Sequence, residues 1–262
     1  VGSFSFANEE RWALIVREFM ARFGYLNGMG LNLGEEVGYS GQTNHRMCES
    51  IKMLDPYTAT GTSHLCLAHT HNNAGDFETK YSVPERADAI DSLDGPAVQG
   101  QPGYQVDKCR WLWSNPPLAG KTYFCGVEEP NSAGTDSIPA AHVVMRGAGS
   151  WLYFDGGSDN NISDFRNHSS REAHERLGYL AQRVFMDNRL PVADMQPDHD
   201  GVVFQGLNTA VADGDDAGTV NSRGSGLFLD GVAYAAYLGD ATSVTIDLPA
   251  GSYAVRWYDD AT

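Results

Sequence analysis

Five short, mostly apolar runs recur along the chain at intervals near 30 residues, and no other feature narrows the fold as far. They are Met29–Leu33, Ser63–His69, Asp94–Gln99, Tyr123–Val127 and Ser150–Phe154. Each is closed by polar residues or glycine, the pattern of parallel strands buried on both faces. Their midpoints, Leu31, Leu67, Ala97, Phe124 and Leu152, are 36, 30, 27 and 28 residues apart. A (β/α)8 barrel of about 250 residues repeats roughly every 31. The expected fold is therefore α/β, a partial TIM barrel comprising about strands 4 to 8.

Helical segments fill the intervals. After Asn8 comes an acidic turn, then an apolar stripe of Trp12, Leu14, Ile15, Phe19, Met20 and Phe23, the form of a capped amphipathic helix. Residues 42–54 stop before Asp55-Pro56, and residues 104–113 stop before Asn115-Pro116-Pro117, since the residue ahead of a proline avoids helical geometry. Residues 139–146 and 164–187 complete the set. Val1–Ala7 reads as a further strand or a linker. A barrel lacking three units would expose strand edges and half a core. The chain is accordingly read as the C-terminal portion of a longer enzyme, with a missing N-terminal barrel segment. A complete non-barrel α/β fold is the competing reading.

Beyond Pro191 the texture changes. Gly/Asp-rich loops (Ala212–Gly218, Asn221–Gly226) separate Gly226–Asp230, Val232–Leu238, Ser243–Leu248 and Ser252–Tyr258. The strict alternation in the last two is that of antiparallel strands with one solvated face. Residues 1–191 are thus assigned to the barrel portion and 192–262 to a small C-terminal antiparallel β-sandwich.

Charge narrows the partners. Lys+Arg 18 against Asp+Glu 34 gives −16, which repels phosphate backbones and anionic membranes; neither nucleic acid nor a membrane is expected. A neutral sugar polymer is not excluded. No apolar run approaches the ~20 residues of a spanning helix. Cys48, Cys66, Cys109 and Cys125 lie far apart; Cys66 and Cys125 sit in apolar runs and read as core. Disulfides, and with them the redox compartment, stay open.

Two acidic pairs stand where a parallel barrel keeps its chemistry, at the C-terminal ends of strands. Glu35-Glu36 follows the first run and Glu128-Glu129 the fourth. Glu36 and Glu129 are 93 residues apart, three units of about 31. Two carboxyls about 5–5.5 Å apart are what a retaining glycosidase needs, one to protonate the leaving oxygen and one to attack the anomeric carbon. The bland alternative is that both pairs are solvated loop charges.

The stretch from Glu10-Arg11-Trp12 through Arg22-Phe23-Gly24-Tyr25 into Asn32-Leu33-Gly34-Glu35-Glu36 resembles a group of poorly characterised bacterial barrel glycosidases. These carry an Asn-Leu-Gly-Glu-Glu segment on the fourth strand. Matches continue in order through Leu54-Asp55-Pro56-Tyr57, Ala68-His69-Thr70-His71, Val98-Gln99, Trp113-Ser114, Ala119-Gly120-Lys121, Val127-Glu128-Glu129-Pro130, Ser150–Phe154 and Asp164-Phe165-Arg166. The tail, from Leu190-Pro191 to Tyr253–Tyr258, resembles the collagen-binding-type sandwich that often follows such barrels. The resemblance implies a retaining mechanism with Glu36 as acid/base and Glu129 as nucleophile, Glu35 and Glu128 being the alternates. Glu128 departs from the group, whose members commonly have Asp there. The expected enzyme acts on a polysaccharide or oligosaccharide without a cofactor, and that polymer-degrading role together with the acidic surface points to an extracellular or periplasmic location.

Asn32, His69, His71, Gln99 and Tyr153 are the candidate substrate-binding residues, all near strand ends. Asn32 has a purely structural alternative, as strand asparagines often do, and Tyr153 and Trp151 an alternative as core. His64, His69 and His71 flank the second run, and His-x-His can hold zinc; no further cluster at ligand spacing supports it, so no metal is expected. Asp155–Asn161 and Asp213–Asp216 are oxygen-rich but miss the EF-hand pattern. A non-catalytic carbohydrate- or matrix-binding module is the alternative function, and a His-based metal hydrolase the weakest.

Overall fold

The computed structural model describes residues 9–26, 29–34, 41–70, 75, 77–81, 92–115, 123–130, 145–152, 182–215 and 217–257. It is a mixed α/β fold with a parallel sheet and two small antiparallel sheets. The elements of the first part are α1 (Glu9–Phe23), β1 (Gly30–Asn32), α2 (Gly41–Leu54), β2 (Leu65–His69), α3 (Phe77–Tyr81), β3 (Gly95–Gly100), α4 (Pro102–Ser114), β4 (Cys125–Pro130) and β5 (Ala148–Leu152). Strands β1 to β5 follow one another across the sheet in chain order. The pairs β1–β2, β2–β3 and β4–β5 are parallel. All five apolar runs contain strands, whose bounds differ from the expected ones by no more than three residues.

The chain forms two compact units, one of residues 1–97 and 116–124, the other of 98–115 and 125–262. In the first unit, Met47, Cys48 and Ile51 of α2, Cys66, Leu67 and Ala68 of β2, and Phe77 and Tyr81 of α3 are buried. The Tyr81 hydroxyl, buried among them, donates to Ala68 O at 3.0 Å, which removes the penalty of an unpaired polar group. Gly95 has φ of 155°, and a Cβ there would run into the Phe124 carbonyl; only glycine permits that approach. Helix α1 departs from its expected packing. Val16 and Met20 are buried, but Leu14, Ile15, Phe19 and Phe23 of the apolar stripe are exposed.

In the second unit, Pro102 opens α4 at a position where its missing N–H is not needed. Gln105, fully buried, donates from Nε2 to Val98 O at 3.1 Å and ties the helix to β3. The remaining elements are β6 (Gln196–Pro197), β7 (Phe204–Gln205), α5 (Ala217–Ser222), β8 (Ser225–Leu229), β9 (Ala233–Tyr237) and β10 (Thr245–Ile246). Antiparallel β6, β8 and β9 form one small sheet, β7 and β10 another. Phe204 of β7 is fully buried against Gly226 of β8, where a Cβ would occupy the ring's place. Met145, Phe185, Met195, Leu227 and Ala235 make a core beneath β8 and β9.

Several expectations are corrected here. Residues 251–257 form no strand, and Ser243–Leu248 pairs only over Thr245–Ile246. Alternation suits a strand, but a strand also needs a neighbour to complete its hydrogen bonds. The tail is held instead by side chains: Tyr253 Oη donates to Pro249 O and Arg256 to Asn188 Oδ1. Cys66 and Cys125 are buried as expected, but in disulfides, Cys48–Cys66 and Cys109–Cys125, each with Cα atoms 5.7 Å apart. Residues 139–144 and 164–181 of the expected helices lie outside the described residues; Gln182–Met186 is a π-helical turn. Among the described residues no helix is long and apolar enough to cross a membrane.

Candidate functional site

Strand ends in a parallel sheet are set by where ladder hydrogen bonds stop. In the first unit Leu33 N still donates to Leu67 O at 2.8 Å. Gly34 then turns with φ of 138°, its N–H directed to Asn32 Oδ1 at 3.4 Å. Asn32 thus serves the turn that leads into Glu35 and Glu36, and its side chain is otherwise at the surface. Glu35 and Glu36 themselves lie outside the described residues.

His69 closes β2 and is 3% exposed. The next residue, Thr70, donates its N–H to Ala97 O at 2.9 Å and is also buried. His71 lies outside the described residues. His64 precedes the other end of β2 and belongs to a different group. Its Nδ1 is 3.1 Å from Asp55 Oδ1, its Nε2 is 2.8 Å from Leu26 O, and its N–H donates to Asp55 Oδ2. Asp55 also accepts from Tyr57 N at 2.9 Å. Those bonds tie the loop after α2 to the loop after α1, a structural role.

A second, partly buried polar group stands beside it. Lys52 Nζ donates to Ser63 Oγ at 2.9 Å, to His64 O and to Asp94 Oδ2. Asp94 Oδ2 accepts Cys66 N as well, at 2.8 Å. With every partner charged or strongly polar, the ammonium loses little on leaving water.

In the second unit Gln99 is half-buried on β3. The β4 ladder runs through Glu128, opposite Leu152 of β5. Glu128 and Glu129 are therefore placed at the C-terminal end of a parallel strand by their backbone; their side chains lie outside the described residues, as does Tyr153. The oxygen-rich Asp213–Asp216 loop is engaged within the protein where it is described. Asp215 accepts Ala212 N at 2.8 Å, and Asp213 is 4.0 Å from Lys108 Nζ. Gly103 of α4 donates to Asp215 O at 3.0 Å, an approach a Cβ would block. Among the described residues no three His, Cys, Asp or Glu gather as metal ligands.

A cationic cluster built around the buried Arg146 also stands in this unit, unsignalled by the sequence. Arg146 donates from NH1 to Thr209 O at 2.7 Å and from NH2 to Gly224 O at 2.6 Å. Burial, then Arg110 and Arg223, lower its pKa to about 10. His199 is pushed down to about 4, first by burial and then by Arg146 and Arg110. Isolated arginines scattered over 113 positions, Arg110 to Arg223, carry no spacing signal that would reveal such a group.

Comparison with family models, with curated proteins and with solved structures returns no match.

Proposed function

We propose that this chain is the C-terminal part of a (β/α)8-barrel retaining glycoside hydrolase, residues 1–191, followed by a β-sandwich accessory domain, residues 192–262. What supports the reading is the position of the acidic pairs in a parallel sheet of sequential strand order. Glu128-Glu129 stands at the C-terminal end of β4, and in the sequence Glu35-Glu36 follows β1 after Leu33 and Gly34. Open α/β sheets and barrels alike hold their ligands at that end. In the proposed mechanism Glu36 protonates the leaving oxygen while Glu129 attacks the anomeric carbon, and Glu36 then activates the water that releases the sugar. His69, His71, Gln99 and Tyr153 would line the substrate, a polysaccharide or oligosaccharide. A preceding barrel segment would complete the cleft. Two disulfides, one in each unit, suit an oxidising compartment and support an extracellular or periplasmic enzyme.

Glu36→Gln and Glu129→Gln in the full-length enzyme test this. Each is expected to lower turnover of an aryl glycoside or natural glycan by about 10²–10⁴-fold, with thermal unfolding unchanged. Near-normal hydrolysis by both variants would overturn the assignment. The binding-module reading has one observation in its favour, the 76% exposure of Trp257, an aromatic face open to a sugar ring. Retention on immobilised glycan without any hydrolysis by the full-length protein would favour it.

A further inference from the structure

Arg146 is 2% exposed, and nothing among the described residues neutralises it. Both of its protein partners are neutral carbonyls, and its Nε–H is buried with no acceptor. Gly224 lies on the loop that carries Arg223, and Thr209 lies on the loop after β7. Thr209 donates its hydroxyl to the backbone carbonyl of His199 at 2.9 Å, so the backbone that Arg146 holds is joined to the backbone of the histidine. His199 is 9% exposed, and neither ring nitrogen has a hydrogen-bond partner. Gly224 follows Arg223, whose Nε–H is likewise buried without an acceptor.

The nearby acids are committed elsewhere. Asp198 takes three backbone N–H groups, from Val202, Val203 and Phe204, at 2.8–3.0 Å. Asp200 pairs with Arg110 at 2.8 Å, with its carboxylate largely in solvent. What remains is two guanidinium N–H donors and an imidazole, without a counter-charge for Arg146. A buried cation left in that state costs several kcal/mol, and hydroxyl or water ligands would satisfy the donors but leave the charge.

We propose that Arg146, Arg223 and His199 form a binding site for a small oxyanion: phosphate, sulfate or a carboxylate. The site is separate from the glycosidase reading and does not depend on it. Planar guanidinium groups suit such ligands because their N–H donors match two oxygens at once. His199 contributes a donor through whichever nitrogen carries its proton.

Isothermal titration of the full chain with sodium sulfate, phosphate, acetate and glucuronate, each against sodium chloride at matched ionic strength, tests the site. His199 ring resonances are followed in parallel by NMR. The expected result is one saturable site per chain, with His199 shifting along the same isotherm. Arg223→Gln should weaken it by at least about tenfold. Should Arg223→Gln fail to fold, Arg223→Lys retains the charge but loses the fork and should show the same direction. Preference for sulfate and phosphate would assign an inorganic or esterified ligand. Preference for glucuronate over acetate would assign an acidic sugar. Absence of saturation and of any His199 shift in the folded wild type up to roughly 50 mM, a Kd too weak for a built site, would overturn the proposal. Equal binding by wild type and Arg223→Gln would overturn it as well.

Discussion

Lys52 in the first unit and Arg146 in the second are both cations drawn out of water, and their surroundings differ in one respect. Lys52 meets a carboxylate, Asp94, along with a hydroxyl and a carbonyl. Among the described residues Arg146 meets two carbonyls and no carboxylate. The first arrangement is complete without a ligand and locks α2 to the starts of β2 and β3. The second is incomplete, and repulsion from Arg110 and Arg223 adds to its cost. A closed polar group of this kind marks architecture, whereas an open one marks a place where something else binds.

The largest effect should follow from breaking the closed pair. Lys52→Met leaves Asp94, 17% exposed at its side chain, without its cation; removing one partner of a fully buried pair costs about 3–5 kcal/mol, and this partly buried one should lie near the lower end. Urea unfolding would show it; a loss under about 1 kcal/mol would mean that the pair is no lock.

The open cluster should show itself through pH. His199 titrates at about 4 when folded against 6.5 in the free side chain. The unfolded chain therefore binds the extra proton first. This contribution is fully present above pH 6.5 and is lost as pH falls through about 4, to a total of about 3 kcal/mol. Thermal melts between pH 7 and pH 4 should record the fall, and His199→Gln should flatten it. An unchanged slope in that variant would place the acid sensitivity elsewhere.

The smallest effect is expected for Arg146→Met without added anion. The charge whose desolvation is uncompensated disappears while two carbonyls lose their donors, opposing contributions that leave about 1 kcal/mol or less. In phosphate or sulfate the gap from wild type should widen, because only wild type gains binding energy. A loss as large as that of Lys52→Met in both buffers would erase the contrast between the two cations.

Much of the α/β layout was legible before any coordinates. Leu31, Leu67, Ala97, Phe124 and Leu152 sit in or immediately beside strands, and Leu67 and Ala97 are buried as apolar runs of that length allow, whereas β1 is largely exposed. Helices α2 and α4 end where Asp55-Pro56 and Asn115-Pro116 say they must. The alternating Ser252–Tyr258 misled for a reason of the same kind: alternation describes one strand, while pairing needs a second. The Glu128-Glu129 pair was legible as a strand end, and β4 carries it there. Asn32 was read with two possible roles, and its bond to the Gly34 N–H is the structural one.

Local order along this chain was thus determined by the sequence itself, through apolar run length, proline stops and turn glycines, all of which act over a few residues. Tertiary structure alone decided the pairing of Cys48 with Cys66 and of Cys109 with Cys125, the meeting of Lys52 with Asp94, and the exposure of four of the six residues of the α1 stripe. It alone also gathered Arg146, His199, Arg223 and Arg110 from four distant segments. Those outcomes depend on distances in space between residues as many as 113 positions apart, Arg110 to Arg223. Charges that meet only after folding leave no periodicity to read.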